Sequence, residues 1–205
     1  LVPRHDASGL TLTLASAELR KALKRGTNEF RFTSPAGVAT AELEFAREWT
    51  VFGPCAETDL APAITDLAAC PATLRLGDKA LAARPVKATS RGIDLGQLLG
   101  DQRERQGAWV YIPVTAPRSG HYGIGLGADW WFEAFLDGKP LIDTLETGNL
   151  TNPPNRNNHL SEVELMAGVH TLAVRVLSGS VGWTLDAGAY RDGAKLTALS
   201  VRVAP

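Results

Sequence analysis

The chain has 205 residues, 44% of them hydrophobic, and a formal net charge of −1 from 21 basic and 22 acidic side chains. It is long enough to bury a full core, and the interspersed charges exclude electrostatic steering to nucleic acid or to an anionic membrane surface. No apolar run reaches membrane-spanning length, so no membrane insertion is expected.

Leu1-Val2-Pro3-Arg4 resembles the remnant of a thrombin-cleavable expression tag and is set apart as residues 1–4. Residues 5–205 read as a single all-β domain with one or two short helices. Leu10 to Leu14 alternates Leu and Thr, Asn28 to Thr33 places Phe30 and Phe32 on one face, and Ala39 to Ala46 alternates again. Between the first two runs, Ser16 to Arg25 reads as a helix with Ser16 as N-cap candidate and Gly26 as C′ glycine. Trp49 to Phe52 follows and is expected to stop at Gly53-Pro54. Cys55 to Pro71 is the least ordered-looking stretch, and Asp94 to Leu99 makes one helical turn. Strands are then expected at Trp109 to Thr115, His121 to Leu126, Trp130 to Leu136, Leu141 to Leu145, Leu160 to Leu165, His170 to Leu177, Gly182 to Ala187 and Leu196 to Val203. Many short strands separated by Gly, Pro, Asn and Asp indicate a β-sandwich or jelly roll.

The run from Gly123 to Lys139 is the most informative. It breaks at Ala128-Asp129 and ends in Asp137-Gly138, a strong hairpin signal. Adjacent tryptophans in a strand point to opposite faces. If the runs before and after Ala128-Asp129 pair through a three-residue loop, Leu126 lies opposite Trp130 and Gly125 opposite Trp131. That register puts Trp130 in the core and lays Trp131 over the strip formed by Gly123, Gly125 and Gly127.

Catalytic signals are weak. There is no glycine-rich phosphate loop, no nucleophile elbow and no Cys/His cluster at zinc spacing. His121, His159 and His170 are scattered, and no carboxylate pair stands out. Glycan binding is better served, because it needs an aromatic face for stacking and planar amides or carboxylates for vicinal hydroxyls. Trp131 and Trp183 supply rings, Glu133 a carboxylate, and the amide-dense loop from Gly148 to His159 adds Asn149, Asn158 and His159. The same loop also reads as a solvated turn whose polar groups satisfy one another, and Trp183 also reads as a core indole. Cys55 and Cys70 are disulfide candidates; closing a loop of that size is worth ~3 kcal/mol in the chain-entropy model. No cofactor is called for. Asp- and Asn-bearing loops could hold a structural calcium ion, but no spacing assigns one.

Trp49-Thr50-Val51-Phe52-Gly53-Pro54 resembles the opening of a group of bacterial domains found in secreted carbohydrate-active proteins. Ile93 to Leu99 and the strand from Trp109 to Thr115 continue the likeness. The run from Gly127 to Trp183 then matches the pattern G-A-D-W-W … G-K-P … G-N … P-P … L-S-G-S-x-G-W. The resemblance spans Trp49 to Ala189 and implies a galactose-binding-like jelly roll that binds a polysaccharide or oligosaccharide or braces a neighbouring catalytic domain. It implies a secreted, periplasmic or cell-surface location. The expectation is therefore a non-catalytic carbohydrate-binding module, with a structural or assembly β-sandwich lacking glycan affinity as the alternative.

Overall fold

A computed structural model describes residues 2–6, 9–13, 26–30, 43–100, 104–149, 151–190 and 199–203. The chain divides into two compact units, Leu1–Val38 with Asp192–Pro205, and Ala39–Arg191. In the first unit β1 (Val2–Asp6) pairs antiparallel with β2 (Gly9–Thr13), and β3 (Gly26–Phe30) pairs with the last strand, β17 (Leu199–Val203). Val2, Pro3 and Arg4, set apart above as a tag remnant, lie within β1. The helix expected over Ser16 to Arg25 and the start of the run from Ala39 lie outside the described residues.

The second unit runs β4 (Glu44–Phe45), β5 (Glu48–Cys55), α1 (Ile64–Ala68), β6 (Thr73–Leu76), β7 (Lys79–Ala82), β8 (Arg84–Lys87), β9 (Ile93–Asp94) and α2 (Leu95–Leu99). It continues with β10 (Gly107–Ala116), β11 (Gly120–Ala128), β12 (Trp130–Leu136), β13 (Lys139–Asp143), β14 (His159–Leu165), β15 (Gly168–Ser178) and β16 (Thr184–Tyr190). It is an all-β sandwich. The larger sheet has the order β13-β12-β15-β10-β5-β8, with β4 also on β10, and the smaller has β14-β11-β16-β9. Every pairing is antiparallel.

Period-two alternation builds the core. Val110, Ile112 and Val114 of β10, Leu172, Val174 and Val176 of β15, and Phe132, Ala134 and Leu136 of β12 form its large-sheet side. They meet Tyr122, Ile124 and Leu126 of β11 and Leu185 and Ala187 of β16. Full burial of each large aliphatic or aromatic side chain contributes ~1.5–3 kcal/mol. The helical turn expected from Asp94 to Leu99 is α2, capped by the Asp94 carboxylate, which accepts from Gln97 N–H at 2.9 Å.

Three expectations are corrected. β11 and β12 do not pair with each other: β11 sits between β14 and β16, and β12 between β13 and β15. Their apolar faces do share one core, but by facing each other across the sandwich, so the chain changes sheets at Asp129. Stacking two sheets buries both apolar faces without any register between them, a solution that one-sided pairing arguments overlook. Trp130 is accordingly half-buried outside the core, its Nε1 lying against Gly148, where a Cβ would stand 2.0 Å away. β5 does not stop at Gly53-Pro54 but continues through a cis Gly53-Pro54 peptide to Cys55. Finally, the stretch from Cys55 to Pro71 is not featureless. With the β6–β7 hairpin it forms a cover over the outer face of the larger sheet, where Leu67 of α1 and Leu74 and Leu76 of β6 pack on Phe52, Trp109, Tyr111 and Ala173.

The Asp137-Gly138 hairpin is found between β12 and β13, with both residues at positive φ (50° and 76°) as a two-residue turn requires.

Candidate functional site

The outer face of the larger sheet carries Trp131 and Glu133 on β12, on the side of the strand opposite the core residues Phe132 and Ala134. Register then decides their neighbours. Glu133 lies opposite Arg175 of β15, and Arg175 opposite Trp109 of β10. Arg175 Nη1 donates to Glu133 Oε1 at 3.2 Å, and its Nη2 donates to the Glu57 carbonyl oxygen. Its buried Nε has no hydrogen-bond partner. Glu57 in turn grips Arg105: Arg105 Nε donates to Glu57 Oε2 at 2.6 Å and Nη2 to Oε1. The Arg105 guanidinium stands over the Trp131 ring, with Cζ 4.3 Å from the ring centroid. The Arg105 hydrogen bond holds the Glu57 carboxyl below the usual carboxylate range, and Arg105 is raised in return by the same bond. Beside this network opens a groove of about 650 Å³ lined by Pro54, Glu57, Lys79, Leu99, Arg105 and Gln106 among others.

The other candidates lie elsewhere. Asn149 is buried and ties the amide loop together: its Oδ1 accepts from Ala128 N–H at 3.2 Å, and its Nδ2 donates to Thr151 O and to Asn158 Oδ1. Asn158 Oδ1 also accepts from Asn155 N–H at 2.7 Å. His159 Nε2 is 3.1 Å from Asn149 O, and its ring meets Phe132 edge-on. The loop then folds back over β11. A Cβ on Gly125 would stand 2.1 Å from Arg156 O, and one on Gly127 2.2 Å from Asn155 O. Arg156 anchors this cover through Asp186, with Nη2 2.7 Å from Oδ1 and its backbone N–H on Oδ2 at 3.0 Å. Gly125 and Gly127 of the glycine strip are thus covered by loop backbone, and the expectation that Trp131 lies over the strip is corrected: Gly at these two positions admits a main chain where no side chain fits.

Trp183 is 1% exposed in the core and donates from Nε1 to Val176 O at 3.3 Å, so it presents no ring face for stacking. The structure therefore brings Trp131 and Glu133 together, knits Asn149, Asn158 and His159 into a loop scaffold, and uses Trp183 as core. Cys55 and Cys70 are both free, which corrects the disulfide expectation. Cys55 lies under the cover, where Gly107 leaves room for its Sγ, while Cys70 follows α1 with its Sγ toward Pro71 O. Burial pushes the Cys55 thiol up to about 11.

Glu57, Arg105 and Arg175 complete the site around Trp131 and were not singled out from the sequence. Arg175 carried a usable signal, as a charge interrupting the apolar run of β15; Glu57 and Arg105 sit in polar stretches that carry none. Among the described residues, no group of three or more His, Cys, Asp or Glu side chains is placed to hold a metal ion, and no helix is long and apolar enough to cross a membrane.

No protein-family model matches the sequence, and no curated protein matches it. Among solved structures, the chain is similar to part of a GH31 α-xylosidase from Xanthomonas citri (16% identity, TM-score 0.39, 60% of this chain and 14% of that one). It is also similar to part of a β-glucosidase from Kluyveromyces marxianus (14% identity, TM-score 0.45, 79% of this chain and 20% of that one). A third likeness is to the PA14 domain of the antifreeze protein MpAFP (14% identity, TM-score 0.41, 77% of this chain and 92% of that one). The chain thus spans a fifth or less of the two enzymes' length, and no ligand or activity follows from likeness at this level.

Proposed function

We propose that this chain carries a non-catalytic carbohydrate-binding module, acting within an exported bacterial protein beside a catalytic domain, with Trp131 as the stacking platform. The observation that carries the reading is a half-buried indole on the outer sheet face, beside Glu133 and under Arg105, which with Glu57 also lines an open groove. Pyranose rings offer an apolar face to such an indole, and their hydroxyls pair with carboxylates and guanidinium groups of this kind. The family resemblance of Trp49 to Pro54 and of Gly127 to Trp183 supports the same reading. Asn149, Asn158 and His159 shape the domain in it rather than touch ligand.

The test is calorimetry against plant and algal polysaccharides, with Trp131→Ala as control. At least a tenfold loss of affinity, about 1.4 kcal/mol, is expected for the variant with its fold intact. Unchanged binding removes Trp131 from the site. The second reading, a structural β-sandwich without glycan affinity, is favoured by the self-satisfied amide loop and the buried Trp183. Absence of binding to every polysaccharide tested selects it.

A further inference from the structure

We infer that Arg105 caps the stacking face of Trp131 in the free domain and must swing aside before a sugar ring can lie there; the inference rests on the Trp131 reading above. With Cζ 4.3 Å from the ring centroid, the guanidinium occupies the layer directly above the indole, and no second ring fits between them. The cap is held in place from two directions. Glu57 grips Nε and Nη2, fixing the guanidinium plane, and the Arg105 backbone N–H donates to Ser178 O at 2.8 Å. The backbone of Arg105 has φ 60°, in the left-handed region that side-chain-bearing residues rarely adopt. A long cationic residue in that conformation is kept there by its contacts, and such strain collects where a side chain must be aimed.

The hold is nevertheless light. The side chains of Arg105 and Glu57 are 34% and 39% exposed, and exposed ion pairs and exposed cation–π contacts are both weak. A pyranose face replaces the guanidinium on the indole at little cost. Arg105, which also lines the groove, is then free to meet water there. The cap thus acts as a filter that only a ligand with a stacking face displaces.

The experiment compares the unsubstituted domain, Arg105→Ala and Glu57→Gln, each with Trp131 present and in a Trp131→Phe background. Two readouts are taken: acrylamide quenching of tryptophan emission, and calorimetry with cellohexaose, xylohexaose and laminarihexaose. The quenching that depends on Trp131 is expected to rise in Arg105→Ala and, less, in Glu57→Gln. Affinity for any hexasaccharide that binds is expected to rise about 3–10-fold in Arg105→Ala, the population cost of opening a weak contact. Quenching unchanged by Arg105→Ala, with melting temperature retained, overturns the cap. Lower affinity in Arg105→Ala also overturns it and makes Arg105 a direct ligand contact. Raised quenching with no hexasaccharide bound by any variant upholds the cap and counts against the carbohydrate reading alone.

Discussion

Replacing Gly125 by alanine tests the arrangement that most separates this fold from its sequence-based expectation. A Cβ there would stand 2.1 Å from Arg156 O, 3.1 Å from its carbonyl carbon and 3.3 Å from Leu160 Cδ2, where ordinary contact begins at 3.4 Å. The obstructing atoms are main chain, so no rotamer change relieves them. Arg156 cannot drift away cheaply, because its guanidinium is bound to Asp186 and to Ser90 O and its backbone N–H to Asp186 as well. β11 cannot yield either, being paired on both edges by β14 and β16. The loop must therefore lift. Overpacking of this kind costs ~1–3 kcal/mol and each lost hydrogen bond ~1 kcal/mol, so a loss of about 2–4 kcal/mol is expected.

Gly120→Ala is the control on the same strand. Nothing lies within 4 Å of its Cβ position, so the only effect is relief of glycine's unfolded-state entropy, a gain of at most ~1 kcal/mol. The two substitutions should thus differ in sign. Urea denaturation reads this as a fall in midpoint for Gly125→Ala at constant slope, and a melting curve as a drop of ~2–4 °C per kcal/mol for a chain of this size. If Gly125→Ala matches Gly120→Ala, the loop does not lie on the glycine strip and the account of the amide loop falls with it.

His170 makes stability depend on pH. Burial opposes its charge, but hydrogen bonds to Asp137 Oδ2 at 2.7 Å and Met166 O at 2.8 Å outweigh it, and the net shift is upward. Only the protonated ring donates from both nitrogens. Because the folded value lies above the unfolded one, this stabilisation is complete below the unfolded pKa of about 6.5 and is lost as pH rises through the folded pKa. Melting temperatures between about pH 6 and pH 9 should fall by an increment that His170→Gln lacks; identical profiles refute the clamp. The thiols give a separate check. In the native protein exposed Cys70 should react with a thiol reagent well before buried Cys55, and both should titrate once the unreduced chain is unfolded. Fewer than two reactive thiols in the unfolded, unreduced protein would restore the disulfide.

The strands were legible because their periodicity is local. Trp130 to Leu136 has the bounds read from alternation alone, and Asp137-Gly138 makes the turn its chemistry demands. Which sheet a strand joins is not local, and that is where the reading of β11 and β12 as a hairpin failed. The cover over the larger sheet was half-legible. β10 is apolar on both faces, with Val110 and Ile112 toward the sandwich and Trp109 and Tyr111 away from it. A strand of that kind needs a layer on each side. The Ala- and Pro-rich chain that supplies the layer shows no periodicity of its own until Leu74 and Leu76. Arg105 was illegible because its role comes from meeting Trp131 across a long stretch of sequence.

The run from Gly127 to Trp183, on which the family resemblance rests, turns out to be occupied mainly with folding. Gly127 admits the loop main chain, and Gly179 and Gly182 admit the Asp129 carboxylate, whose oxygens would lie 2.5 and 1.9 Å from their Cβ positions. Burial pushes that carboxyl upward, as expected of an acid used as a packing element at the corner between sheets. Thr144 Oγ1 bonds both the N–H and the carbonyl of Phe132, Asn149 holds the loop, and Trp183 fills the core. Within this run Trp131 and Glu133 are the candidates that face outward into other chemistry; Glu133 pairs with Arg175 inside the run, whereas Arg105, which covers Trp131, and Glu57, which grips Arg105, come from outside it. A chain can therefore keep the whole pattern and lose the cap over Trp131 by changing Glu57 or Arg105. Ligand preference in this architecture should follow the residues at 57 and 105 rather than the tryptophan pair by which the pattern is recognised.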